Sequence, residues 1–126
     1  MSELSLRLEV GDAVRLGPGK MRLLELIAEH GSISAAGRAM GMSYRHAWLL
    51  VDSLNAAFRE PVVLTRAGGK ADKRAETTPF GHSVITRFRA MQETARLALA
   101  EDLRILESQL HPDAASRRMR DPEHTG

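Results

Sequence analysis

Near the start of the chain, Leu4, Leu6, Leu8 and Val10 alternate with Ser5, Arg7 and Glu9. Period two over seven residues predicts a half-buried strand. Gly11 and the Gly17-Pro18-Gly19 run separate it from the next element. Over residues 20–30 the period changes: Met21, Leu24, Ile27 and Ala28 share one helical face, with Leu23 beside them. Gly31 ends that helix, and Ser32 is the N-cap of a second one whose core contacts are Ile33, Ala36 and Met40. Gly41 can take the left-handed conformation that closes it. Ser43 then caps a third helix with Ala47, Leu50, Val51, Leu54 and Phe58 as its buried stripe. The small residues Ala35, Ala36 and Ala39 are expected to let neighbouring helices approach closely.

Pro61 stops the third helix, and Val62-Val63-Leu64-Thr65 has strand composition. Residues 67–75 read as a basic loop with two glycines, and Glu76-Thr77-Thr78 as a returning strand. Pro79 starts a new element. Two short helices joined by a glycine turn form a helix-turn-helix, and a strand, basic loop and strand after it form a wing. The expected class is mainly α: a winged helix-turn-helix with a small β-sheet, built from the N-terminal strand and the wing, and a long C-terminal helix.

That last helix is expected over residues 79–110. Phe88, Met91, Ala95, Leu99, Leu103, Leu106 and Leu110 recur every three or four residues and make one apolar stripe. A helix of this length is roughly 45 Å long, more than a small domain is wide. Its far end therefore needs a partner, and a second copy of the same helix is the simplest one. The expected division is 1–78 for the DNA-binding domain, 79–110 for a dimerisation helix and 111–126 for a disordered tail, since the tail has Pro112, Pro122 and few large apolar groups.

Composition narrows the function. With 126 residues and 43% hydrophobic positions, the chain can build one modest core. The net charge is only +2, so its distribution matters more than its sum. Residues 18–78 hold nine Lys/Arg against six Asp/Glu, whereas residues 79–126 balance at seven each. The basic excess thus lies on the helix-turn-helix and wing. There is no cysteine, which excludes disulfides and thiolate metal sites. The five histidines have no metal-ligand spacing. No apolar run reaches the roughly 18–20 residues of a membrane span, no signal peptide opens the chain, and the cytoplasm is the expected location.

The candidate chemistry is recognition of double-stranded DNA. Ser43, Tyr44, Arg45 and His46 open the third helix. Arg45 points away from the buried stripe, and an arginine fork can bind a guanine edge or a phosphate. Ser32 and Ser34 lie at the start of the preceding helix, where hydroxyls can meet phosphate. Lys70, Lys73 and Arg74 sit on the wing tip with Arg66 at its base, positioned for phosphates of the minor groove. Leu49 and Asp52 also project outward, and Trp48 is assigned to packing at the edge of the stripe. Gly69-Lys70 is no phosphate-binding P-loop, because position 64 is leucine and position 71 alanine. No nucleophile elbow is present, so no catalytic residue, cofactor or metal is expected.

Gly31-Ser32-Ile33-Ser34, Gly41-Met42-Ser43-Tyr44-Arg45-His46-Ala47-Trp48 and Leu54-Asn55 resemble the N-terminal DNA-binding region of ModE, the molybdate-responsive transcriptional regulators. Val63 to Lys70 and Thr78-Pro79-Phe80-Gly81 fit the same region, so the resemblance covers about residues 4–110. LysR-type regulators share the Gly-Ser-Ile-Ser start more distantly, but they begin directly with a helix and lack the Tyr-x-x-Ala-Trp segment. The resemblance implies a homodimer that binds a near-palindromic operator, with the recognition contacts carried by Ser43, Tyr44, Arg45 and His46. Two departures stand out. Ala71-Asp72-Lys73-Arg74 replaces a glycine-rich wing. The sequence also stops about 15 residues after the long helix, so a regulator lacking the molybdate-binding effector domain is expected, with a separate effector-sensing chain as a possible partner. The competing expectations are a winged-helix module that docks proteins, and a stand-alone LysR-like DNA-binding domain.

Overall fold

The computed structural model describes residues 2–66 and 74–113. Lys70 and Lys73, and the tail from residue 114, lie outside the described residues. The order of elements is β1 (Leu8–Val10), β2 (Val14–Leu16), α1 (Pro18–His30), α2 (Ile33–Ala39), α3 (Tyr44–Ala57), β3 (Val63–Arg66), β4 (Arg74–Thr77) and α4 (Pro79–Ser108). It is a winged helix-turn-helix followed by a long helix.

Helix α1 is the hub. Pro18 sits in its first turn, where a missing N–H costs nothing. Gly31 closes it at φ 76°, donating its N–H to the Ile27 carbonyl at 2.8 Å. Met21, Leu23, Leu24 and Ile27 are fully buried and Leu26 nearly so. Ala28, expected on the buried face, is exposed. The buried arc is shifted and widened because α2 packs on one side of α1 while β4 and α4 pack on another.

The N-terminal strand is shorter than its alternating pattern and pairs with β2, an element with no counterpart in the sequence reading. Gly11, at φ 58°, makes the hairpin turn between them. β3 and β4 form a second, separate antiparallel pair. The N-terminal strand therefore does not extend the wing sheet. Its place beside β4 is taken by the α1–α2 turn, where the Gly31 carbonyl accepts the Ala75 N–H at 2.9 Å.

Three side chains lock the wing and α4 to the helices. Asn55 accepts from the Val62 N–H at 2.7 Å and the Val63 N–H at 3.3 Å, and donates to the Val63 carbonyl at 3.0 Å. Thr77 donates from its buried hydroxyl to the Leu24 carbonyl at 2.7 Å. Thr78 caps α4 by accepting from the Gly81 N–H at 2.9 Å, and its hydroxyl donates to the Pro61 carbonyl at 2.7 Å. Gly81 then lies flat against the Val62 carbonyl, leaving no space for a side chain.

The first three turns of α4 belong to the core. Phe88 is fully buried and Ile85 nearly so. Phe80 meets Phe58 edge to face, with ring centroids 5.4 Å apart. Arg89 on α4 grips Glu25 on α1 through two hydrogen bonds, of 2.9 and 3.4 Å. This corrects the expected dimerisation stripe: Phe88 packs inside its own chain. The stripe is continuous in sequence, but its partner changes along its length. Beyond the core, Met91, Leu99, Leu106 and Leu110 are exposed, while Ala95 and Leu103 are half-buried. The N-terminal segment reaches this distal half, where the Ser2 hydroxyl donates to the Glu107 carboxylate at 2.9 Å.

Candidate nucleic-acid interface

Helix α2 and helix α3 meet through small residues, only partly those expected. Ala36 is buried, but Ala35 is half-buried and Ala39 exposed. The close approach is at Gly37, where a Cβ would lie 3.1 Å from the Ala47 Cβ. The Gly37 carbonyl also accepts the Met42 N–H at 2.9 Å, fixing the turn between the helices. Gly41 sits in that turn at φ 70°.

Ser43 caps α3 by accepting from the His46 N–H at 3.1 Å. This leaves its hydroxyl proton free to donate. At 100° per residue, Arg45, Leu49, Asp52 and Ala56 fall within about 60° of one another, opposite Ala47, Val51 and Leu54. All four are exposed and the three opposite are buried. Among the described residues no carboxylate lies within ion-pair distance of Arg45. The two flanks of α3 differ. His46 and Leu50 border a cleft shared with Leu8, Leu16, Met40 and Met42, so the N-terminal hairpin lies on that side. Asn55 reaches the wing on the other.

Trp48 lies toward the wing flank and is 43% exposed. The expectation was packing at the edge of the buried stripe; position 48 is rotated past the edge of the arc centred on Ala47, Val51 and Leu54, so much of the indole is left open. Tyr44, one turn earlier, is exposed beside it.

Ser32 caps α2 by accepting from the Ala35 N–H at 3.0 Å, and the Ser34 hydroxyl accepts from Arg38 at 3.3 Å. On the wing, Arg66 and Arg74 stand directly opposite one another. Glu76 is 3.7 Å from Arg66, and both are well exposed. Ser32, Ser34, Ser43, Tyr44, Arg45 and His46 thus occupy the helix-turn-helix, and Arg66 and Arg74, the latter expected on the wing tip, form the outermost described pair of the wing ladder. Asn55 was not singled out as a positioning residue by the sequence reading. Its signals are its place in the Leu54-Asn55 pair of the resemblance and a polar amide near the end of an apolar-striped helix.

Among the described residues there is no group of three or more His, Cys, Asp or Glu side chains able to hold a metal ion. None of the described helices is long and apolar enough to cross a membrane.

The chain is 38% identical over 95 residues to the molybdenum-pterin-binding protein MopA of Rhodobacter capsulatus, covering 75% of this chain and 36% of that one. It is 33% identical over 99 residues to the molybdenum transport protein ModE of Azotobacter vinelandii, covering 79% and 36%. Against the DNA-binding transcriptional dual regulator ModE of Escherichia coli (strain K12) it is 31% identical over 84 residues, covering 67% and 32%. The chain spans about a third of the length of these curated relatives. The bacterial regulatory helix-turn-helix protein, lysR family, matches residues 19–82. That segment opens at the start of α1, just after the N-terminal hairpin, and closes at the first turn of α4. It covers half of the chain and contains the complete helix-turn-helix and wing, and the protein belongs to this family of bacterial regulatory helix-turn-helix proteins.

Proposed function

We propose that this chain is a sequence-specific DNA-binding transcriptional regulator of the ModE type that acts as a homodimer, with no enzymatic activity, in the cytoplasm. The observation that carries the reading is Arg45. It projects from the exposed face of a capped helix, with no ion-pair partner among the described residues and with a hairpin on either side. A guanidinium in that setting is available for a guanine edge. Ser43, Tyr44 and His46 accompany it at the start of α3. Ser32 and Ser34 with Arg66, Lys70, Lys73 and Arg74 supply phosphate contacts. Residues 1–78 form the DNA-binding domain, and α4 pairs with its copy through the distal residues of its stripe, setting half-site spacing. The relatives' names carry molybdenum, which makes a molybdenum-containing effector the first one to test in this reading.

In vitro selection of duplex sites tests the proposal. A near-palindromic site that binds more weakly as salt rises supports a dimer that reads DNA. The outward Leu49, 46% exposed, favours a second reading, in which this surface docks a protein. Absence of duplex binding at low salt supports that reading and sinks the first.

A further inference from the structure

Trp48 and Tyr44 stand one turn apart on the wing flank of α3, 43% and 46% exposed. Among the described residues, neither side chain has a hydrogen-bond partner or a ring contact. Covering an indole removes a large apolar area from water, yet the described part of this chain leaves much of Trp48 open. At 100° per residue, Trp48 lies about 60° from Arg45 around the α3 axis and about 4.5 Å farther along it. Leu49 lies about 40° from Arg45 on the opposite side. Arg45 is therefore flanked by an indole toward the wing and by an aliphatic group toward the N-terminal hairpin.

We propose that Trp48 is a specificity-determining residue that covers the C5-methyl group of a thymine beside the base read by Arg45. The inference rests on the DNA-binding reading and adds to it a base type and a residue outside the contacts assigned above. An α-helix with its side chains is about 10–12 Å across, and the major groove is about 12 Å wide. A helix seated so that Arg45 reaches a base edge therefore presses its neighbours on both sides against the groove surface. The base edges there carry hydrogen-bonding groups and one apolar group, the thymine methyl. An indole covers that methyl without stripping water from a polar atom. The groove wall suits the ring less well, because it is lined with hydrated phosphate. Asp52, four residues after Trp48, is exposed on the same flank, and its carboxylate repels phosphate.

Replacing thymine by deoxyuridine removes the methyl and keeps the base pair, so the DNA itself supplies the test. Each thymine of the selected site is replaced in turn, and the full chain is titrated with each duplex by fluorescence anisotropy. The wild-type chain is expected to bind about fourfold more weakly when one particular thymine of a half-site is replaced. That thymine should lie within about two base pairs of the position whose preference Arg45→Ala relaxes. At that position Trp48→Ala should bind thymine and deoxyuridine alike, whereas Trp48→Phe, which keeps a ring, and Leu49→Ala should still prefer thymine. Trp48 is the only tryptophan of the chain, so quenching of its emission by acrylamide should fall when the duplex binds. Unchanged quenching overturns the inference, as does a preference for thymine that persists in Trp48→Ala. Equal losses for the thymine and deoxyuridine duplexes in Trp48→Ala, with the wild-type chain also indifferent to the methyl, assign the ring to the sugar-phosphate wall and overturn it too. If Arg45→Ala still loses affinity while every deoxyuridine duplex binds like the parent, the DNA-binding reading survives alone. If the wild-type chain binds no duplex, both fall.

Discussion

Gly37 and Ala47 set the spacing of the helix-turn-helix: a Cβ on Gly37 would stand 3.1 Å from that of Ala47, which is itself fully buried. The backbones of α2 and α3 approach because both positions are nearly bare. Ala47→Leu is expected to force them apart and to destabilise the fold by about 1–3 kcal/mol. Urea denaturation reads the loss, and an unchanged midpoint would mean that the space is larger than the geometry indicates.

Gly81 and Gly19 make an internal comparison. A Cβ on Gly81 would run into the Val62 carbonyl oxygen and the Thr77 methyl, and backbone cannot move aside as a flexible side chain can. Gly81→Ala should cost at least about 1–3 kcal/mol. Nothing lies within 4 Å of a Cβ on Gly19, also in the first turn of a helix. Gly19→Ala should therefore be neutral or stabilising, by up to about 1 kcal/mol. The melting temperature should fall for Gly81→Ala and hold or rise for Gly19→Ala.

Asn55 offers a third test. Its amide satisfies backbone groups of Val62 and Val63 that a hydrophobic substitute cannot reach. Asn55→Leu keeps much of the side-chain volume yet leaves these groups unpaired, at a cost of about 1–3 kcal/mol. Amide hydrogen exchange should accelerate at Val62 and Val63 before it does in α1.

Within the proposed interface, Arg45→Ala is expected to weaken operator binding by about 1–3 kcal/mol and relax base preference at the position it reads. Arg74→Ala should weaken all duplexes alike. Competition binding with substituted sites separates the two, and an Arg45 variant with undiminished affinity and preference would remove α3 from the recognition role.

The two halves of α4 should respond differently. Phe88→Ala opens a cavity inside one chain and is expected to cost about 3–5 kcal/mol of folding stability. Leu99→Asp and Leu106→Asp, at exposed positions, should leave the fold intact. They should convert dimers to monomers in sedimentation velocity if α4 pairs with its copy. A dimer that persists in the double variant would move the interface elsewhere.

Much of the chain was legible because its signals are local. Ser32 and Ser43 each place an acceptor where the first N–H groups of a helix need one, whereas Thr78, expected at the end of a strand, turned out to cap α4. Gly31 takes the left-handed backbone that ends α1, and Gly41 takes it in the following turn. Periodicities of two and 3.6 depend only on which face is covered, so strand, helix-turn-helix, wing and long helix all follow from spacing. The identity of the covering partner is a different matter. Period alone cannot tell that Phe88 is covered by its own chain while Leu106 is left exposed, because both lie on one stripe. Nor can it tell whether the N-terminal strand pairs with the wing or with β2. The outward position of Trp48 and the facing arginines of the wing arise from contacts between distant segments. The order of elements was written in the residues themselves; which surfaces those elements hide and which they leave open was decided only when they packed.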